Sequence, residues 1–351
     1  MHLRISKPFA FLLVLFLSLL RLGSSLWAES PSTSTSKRPI RFGIQTAHQV
    51  QSLEDLIKLW QDAEAWGYDS MWLNDHFLQF GKEDGPAYDA WTLLAALAEK
   101  TSRVRLGVLV TNNTFRNPAI LAKMATTVDI LSRGRLDLGI GGGWFQREHE
   151  AYGIPFYSNK ERIERLEEAL QVIRMLWTQD EANFSGHYYQ LVKAPFTPKP
   201  LQKPYPPITI GGQGEKWTLP LVARYADKWS MPAGFTPEKL ATKVKQLEKA
   251  CAKVKRDCSG MDKSYQTFLV LSDDPAKVDQ AVQMLTRYYT NMSADEARRT
   301  IIAGTNSEEI KKQVQAFVDA GITHFIFTVR SQPYDREALR RFAQEVIPAF
   351  R

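Results

Sequence analysis

Four short stretches carry residue types that could do chemistry. Asn74-Asp75-His76-Phe77 sets a carboxylate beside an imidazole. Such a pair can orient a ring-shaped ligand or move a proton near neutral pH. The plainer reading makes Asp75 a helix N-cap beside an incidental histidine. Thr111-Asn112-Asn113-Thr114 offers small polar groups to a ligand's heteroatoms, and Pro118 suits the first turn of a helix. Gly134 to Gly153 (GRLDLGIGGGWFQREHEAYG) runs from an apolar alternation, Leu136, Leu138 and Ile140, into Gly139, Gly141, Gly142 and Gly143, then Trp144, Phe145 and Glu148. Glycine at a strand end lets the chain turn sharply and lets a ligand approach the backbone. Gly211-Gly212-Gln213-Gly214 leads into a helix near Trp217, where backbone N–H groups and the helix dipole favour an anion.

These stretches need a scaffold that brings them together. Strand signals fall at Ile40–Ile44, Ser70–Leu73, Val104–Val110, Arg135–Ile140, Ile208–Gly211, Lys228–Met231, Thr267–Leu271 and His324–Val329. Helical stripes lie between them: Leu53, Leu56, Ile57 and Trp60; Ile163, Leu166, Leu170, Ile173 and Trp177; Leu339, Phe342, Ala343 and Val346. The alternation predicts an α/β fold, a closed (β/α)8 TIM barrel with insertions, over residues 40–351. An open doubly wound sheet is the competing topology. All four stretches follow predicted strands, at the end where barrels build active sites. Two intervals are too long for simple βα units, Asn183–Pro207 with a hairpin-like FSGHYYQL, and Leu285–Asn306. Both are expected to shape a binding site.

Several classes are disfavoured. Net charge is +7, but basic residues alternate with acids along helical faces such as Lys160 to Glu168, so no nucleic-acid stripe is expected. There is no C-x-x-C or H-E-x-x-H, and no metal site is expected; Cys251 and Cys258 read as parts of one polar helical segment. A dinucleotide fingerprint fails because Trp144 stands where its third glycine belongs. Paired glycosidase carboxylates would have to be Asp75 and Glu148, which leaves the glycine loops unexplained. His48 and His187 read as loop polar groups and His324 as a strand residue.

Residues 1–28 have the layout of a signal peptide: Arg4 and Lys7, an apolar run Phe9 to Leu20, then Gly23, Ser24, Ser25 and a candidate cleavage after Ala28. Residues 29–39 read as linker. Cleaved, the segment implies export, to a periplasm for example; uncleaved, it would be a membrane contact. An over-extended gene start would leave the protein cytoplasmic. No twin arginine precedes the apolar run.

From Arg41 to Phe350 the chain resembles the bacterial-luciferase-like flavin family, closest to its coenzyme F420-dependent oxidoreductases. The segments that carry the resemblance are SMWLNDHF (Ser70–Phe77), NNTFRNPAILAKMA (Asn112–Ala125), SRGRLDLGIGGGWFQREHEAYGIPF (Ser132–Phe156) and ITIGGQGE (Ile208–Glu215). The resemblance implies an insertion-bearing TIM barrel. It implies Asp75 and His76 beside the flavin ring as catalytic candidates. Val110, Thr111 and Asn112 would pass under the ring, where the family carries a bulge with a non-prolyl cis peptide. Gly142, Gly143 and Glu148 would line the cofactor's side-chain end, and Gly211, Gly212 and Gly214 its phosphate. The activity implied is F420-dependent hydride transfer to or from a small organic substrate. An FMN-dependent monooxygenase and a non-catalytic flavin-binding barrel are the alternatives, and a homodimer is left open.

Overall fold

The computed structural model describes residues 39–351 apart from 51, 80, 81, 290, 330 and 331. The candidate signal segment and nearly all of the linker lie outside the described residues.

In chain order the elements are β1 (Arg41–Thr46), α1 (Leu53–Trp66), β2 (Ser70–Leu73), α2 (Ala90–Lys100), β3 (Arg105–Val108), β4 (Thr111–Asn112), α3 (Pro118–Leu131), β5 (Leu136–Gly141), α4 (Gln146–Ala151) and α5 (Asn159–Thr178). There follow β6 (Glu181–Ser185), β7 (Gln190–Pro195), β8 (Ile208–Gly211), α6 (Thr218–Tyr225), β9 (Lys228–Met231), α7 (Pro237–Lys253), β10 (Asp262–Thr267) and β11 (Leu269–Leu271). The chain ends with α8 (Pro275–Tyr288), α9 (Ala294–Arg298), β12 (Ile302–Gly304), α10 (Ser307–Asp319), β13 (His324–Val329), α11 (Arg336–Glu345) and a short 3-10 turn.

The main sheet runs β3-β2-β1-β13-β10-β9-β8-β5-β4, every pair parallel, and a β3–β5 pairing closes it. It is a TIM barrel: β3 and β4 are two parts of one interrupted barrel strand, which makes eight positions. Apolar residues such as Phe42, Ile44, Leu138 and Ile140 join the layer between sheet and helices. The alternate positions, among them Asp137, Gly139 and Gly141, face the lumen by strand alternation.

Local chemistry sets the helix ends. Ser52 accepts from Asp55 N to cap α1, and Gly67 ends that helix at φ 98°, a left-handed conformation that favours glycine. Asn117 caps α3 ahead of Pro118. All three predicted stripes lie on helices: Leu56, Trp60, Leu166, Ile173, Leu339 and Phe342 are buried.

Two expectations are corrected. The seventh barrel strand is β10, not Thr267–Leu271. The sequence DKSYQT hides it, because Ser264 and Gln266 face a polar lumen, bonding Trp229 O and Ser230 Oγ. The apolar Leu269–Leu271 instead pairs with β12 in a two-stranded sheet apart from the barrel. With α8 and α9 this sheet encloses a small second core of Val278, Val282, Leu285, Ala297, Ile301 and Ala303, the substance of the Leu285–Asn306 insertion. The cysteines are not within one helix. α7 stops at Lys253, the chain turns through Lys255 at φ 55°, and Cys258 returns to form a disulfide with Cys251 (Cα–Cα 6.2 Å). FSGHYYQL is the turn region of the β6–β7 hairpin, as its pattern suggests.

Candidate active site

The mouth of the barrel is organised by an interruption of the third barrel strand. Between β3 and β4 the Leu109–Val110 peptide is cis and non-prolyl. Leu109 N donates to Leu73 O (2.7 Å), and Gln45 Nε2 donates to Leu109 O. The neighbouring strands make room with glycine. A Cβ at Gly139 would stand 2.1 Å from Val108 O; at Gly141 or Gly211 it would stand 2.7 Å from the Val110 side chain. Such distances are forbidden, so the interruption requires all three glycines. Val110 therefore sits between Gly141 and Gly211 at the top of the lumen.

His76 follows β2 at the same mouth. Its Nδ1 lies 2.9 Å from Glu148 Oε2, on α4. Glu148 is fully buried, and its Oε1 accepts from Phe77 N (2.6 Å) and Leu78 N (3.0 Å). The loop is gripped from below as well. His48, buried after β1, directs Nε2 at the His76 carbonyl and Nδ1 at Asn74 Oδ1 (2.9 Å). Burial first of all pushes the His48 pKa below its ordinary value. Trp144 and Phe145 stand edge-on to the His76 ring at 5.9 and 6.2 Å.

Asp75 is buried and fully engaged. It forms a bidentate pair with Arg116 (2.6 and 3.0 Å) and accepts from Asn112 N (2.9 Å). Arg116 also reaches Asp89, the N-cap of α2. Burial opposes the charge of this guanidinium, but Asp75 and Asp89 together hold its pKa above the ordinary arginine value. Asp75 thus ties the His76 loop to β4. Asn112 turns its Oδ1 to Thr114 N and Oγ1, and at Gly143, with φ of 77°, a Cβ would stand 2.2 Å from that Oδ1, so the position favours glycine. Thr111 Oγ1 accepts from Trp91 Nε1, anchoring β4 to α2. A Cβ at Gly142 would meet only ordinary contacts, to Arg162 and Ile163.

The glycine loop after β8 fits an anion, though not as the sequence suggests. Gly212 (φ 128°) spends its N–H on Ser230 O (3.0 Å), and its carbonyl accepts from Trp229 Nε1 (2.7 Å). Thr218 N and Leu219 N both close onto Gly214 O. Of this loop, the chain at Gln213 and Gly214 is then the part that could meet an anion; Thr218 Oγ1 lies 3.2 Å from where a Gly214 Cβ would be. Lys243 on α7 extends Nζ to Gln213 O (3.4 Å), and among the described residues it has no acidic ion-pair partner. No sequence pattern marks Lys243, because its place beside the loop comes from α6–α7 packing. His48 was likewise invisible as a partner of the His76 loop, since 28 residues separate them.

A family model described as luciferase-like monooxygenase matches residues 33–324. The chain belongs to this family. It is 30% identical over 338 residues to an F420-dependent glucose-6-phosphate dehydrogenase of Amycolatopsis mediterranei, covering 89% of this chain and 99% of the relative. It is 31% identical to the protein of that description from Kineococcus radiotolerans, covering 90% and 99%. Among solved structures, an F420-dependent secondary alcohol dehydrogenase in complex with an F420-acetone adduct superposes with a TM-score of 0.78 at 24% identity, covering 89% of this chain and 99% of that one. The F420-dependent tetrahydromethanopterin reductase of Methanopyrus kandleri gives 0.76 at 20% identity, covering 89% and 100%. These two likenesses bear on the fold. The chain is an enzyme of an oxidoreductase family built on this barrel.

Proposed function

We propose that the protein is an F420-dependent oxidoreductase that moves a hydride between the deazaflavin and a small organic substrate, with His76 exchanging the substrate's proton. The observation that carries this is His76 itself, an imidazole held on a fixed loop at the barrel mouth beside the Val110 interruption. Full-length relatives described as F420-dependent dehydrogenases support the choice of cofactor.

The residues present fit such a group. Val110, seated between Gly141 and Gly211 at the strand ends, offers a flat ring an apolar surface, and the Gln213–Gly214 chain with Lys243 suits its phosphate. Bound F420 supplies a two-electron hydride carrier. The chain supplies the rest. Val110 would form the floor under the ring. Asp75, through Arg116 and Asn112 N, fixes the distance between the His76 loop and that floor. His76 takes the hydroxyl proton when an alcohol carbon gives up its hydride, or returns it when a carbonyl is reduced.

Glucose 6-phosphate, named for the relatives, is the first substrate to test. Purified protein titrated with F420 and FMN side by side should bind F420 saturably and FMN at least tenfold more weakly. Tighter FMN binding, with oxygen-dependent turnover, would move the assignment to a monooxygenase.

The proposed location is an oxidising compartment. The buried Cys251–Cys258 bridge supports it, since such bonds persist mainly outside the cytosol, and so does the signal-like layout of residues 1–28. Cell fractionation with thiol trapping would overturn this if it returned cytoplasmic protein with both thiols reduced.

A further inference from the structure

We propose that Glu148 is the positioning residue of His76: it fixes which ring nitrogen carries the proton and so presents Nε2, as a base, to the substrate. The assignment rests on the activity proposed above and adds a residue to it. The family resemblance places Glu148 at the cofactor's side-chain end. The structure instead turns its carboxylate inward to the histidine loop.

The division of labour between its two oxygens carries the argument. Oε1 takes both backbone contacts, Phe77 N at 2.6 Å and Leu78 N at 3.0 Å. Oε2 meets His76 Nδ1 at 2.9 Å. A device that only stapled the loop would need Oε1 alone. A carboxylate only accepts hydrogen bonds, so the contact through Oε2 requires the proton on Nδ1. In the neutral ring the lone pair is then on Nε2, the nitrogen suited to receive a hydroxyl proton. Among the described residues Glu148 has no Lys or Arg ion-pair partner, so its charge is directed at the loop and the imidazole alone.

The loop that carries the ring is held at other points as well. The His76 carbonyl is held by His48 Nε2, and Asp75 next to it is held by Arg116. Trp144 and Phe145 stand edge-on to the imidazole. Other titratable groups near the loop have partners away from the His76 ring: Asp89 with Arg116, His149 with Thr114 Oγ1, Tyr152 Oη with Phe77 O, and Arg147 on α4 with Glu83.

Glu148→Gln separates positioning from stapling. The amide oxygen can keep both backbone bonds of Oε1, while the NH2 replaces Oε2 as a donor facing Nδ1. The variant should fold and bind F420 within about threefold of wild type, because the loop stays stapled. The tautomer should reverse. Nitrogen-15 NMR of the histidine rings, in cofactor-free protein at mildly alkaline pH and with His76→Asn to assign the signal, should show Nδ1–H in wild type and Nε2–H in Glu148→Gln. Single-turnover rate with glucose 6-phosphate should fall about a hundredfold, the lower range for losing a general base, and Glu148→Asp should restore the wild-type tautomer. An Nε2–H tautomer in wild type, or the same tautomer in wild type and Glu148→Gln, overturns the assignment. If no variant, wild type included, binds F420, the proposed activity fails, while the tautomer result still decides the role of Glu148.

Discussion

At the floor of the barrel, Asp137 on β5 meets Arg105 from β3 and Lys228 from β9, the latter at 2.7 Å across the lumen. Burial opposes the charge of the Asp137 carboxyl, yet Lys228 and Arg105 outweigh it and hold its pKa down at about 2. Nearby, His324 Nε2 is 2.9 Å from Ser70 Oγ, which accepts from Trp72 Nε1 at 2.8 Å. Further up, β5 ends in Gly141 and its neighbour β8 in Gly211, and the Val110 side chain sits between them. The floor closes its polar groups on one another. The mouth seats Val110 between two glycines and holds His76 through Glu148, a buried acid with no Lys or Arg ion-pair partner among the described residues. Charge closes the lumen at the floor, whereas the mouth's ion pair, Asp75 with Arg116, ties a loop to a strand, so damage at the two ends should differ in kind.

The sharpest break in that contrast is Asp137→Ala. It leaves Arg105 and Lys228 facing each other in the lumen with their anion gone, and breaking a buried pair this way costs roughly 3–5 kcal/mol. Urea unfolding should record a loss of that size. Gly211→Val is the matching change at the mouth: its side chain would collide with Val110. Overpacking costs about 1–3 kcal/mol, but F420 affinity should fall at least tenfold, measured by titration. Equal effects of the two substitutions on stability and on binding would erase the distinction between floor and mouth.

The smallest effect is in the pH dependence. Burial, helped by Arg41 and Lys228, holds the His324 pKa well below 6.5. Below pH 6.5 the unfolded chain therefore binds a proton that the folded chain refuses, so stability is full above that pH and declines beneath it. The slope from this one group is at most about 1.4 kcal/mol per pH unit. His324→Asn should flatten the decline between pH 6.5 and 5 in thermal melts. The Asp137 contribution has the same sign but lies lower, lost as pH falls from the ordinary aspartate range through about 2.

The two ends were unequally legible in the sequence. The mouth declares itself through glycine clusters and through Asp75-His76, because these residue types have few other reasons to follow a strand. The floor does not. Lys228 and Asp137 sit within predicted strands, but nothing local says that their side chains meet across the lumen 91 positions apart. The same polar lumen hid β10, whose Ser264 and Gln266 break the apolar pattern by which strands are recognised. The contact of Glu148 with His76 was not legible either, since the two lie 72 positions apart. The disulfide escaped because helical periodicity does not show the turn after Lys253 that brings Cys258 back.

The most direct test of the account is a crystal structure of the F420 complex. The account predicts the deazaflavin ring in van der Waals contact with Val110, His76 Nε2 facing the substrate side of the ring, and the phosphate beside Gln213, Gly214 and Lys243. A ring bound away from Val110, or His76 presenting Nδ1 to the ring with Glu148 turned elsewhere, would contradict it.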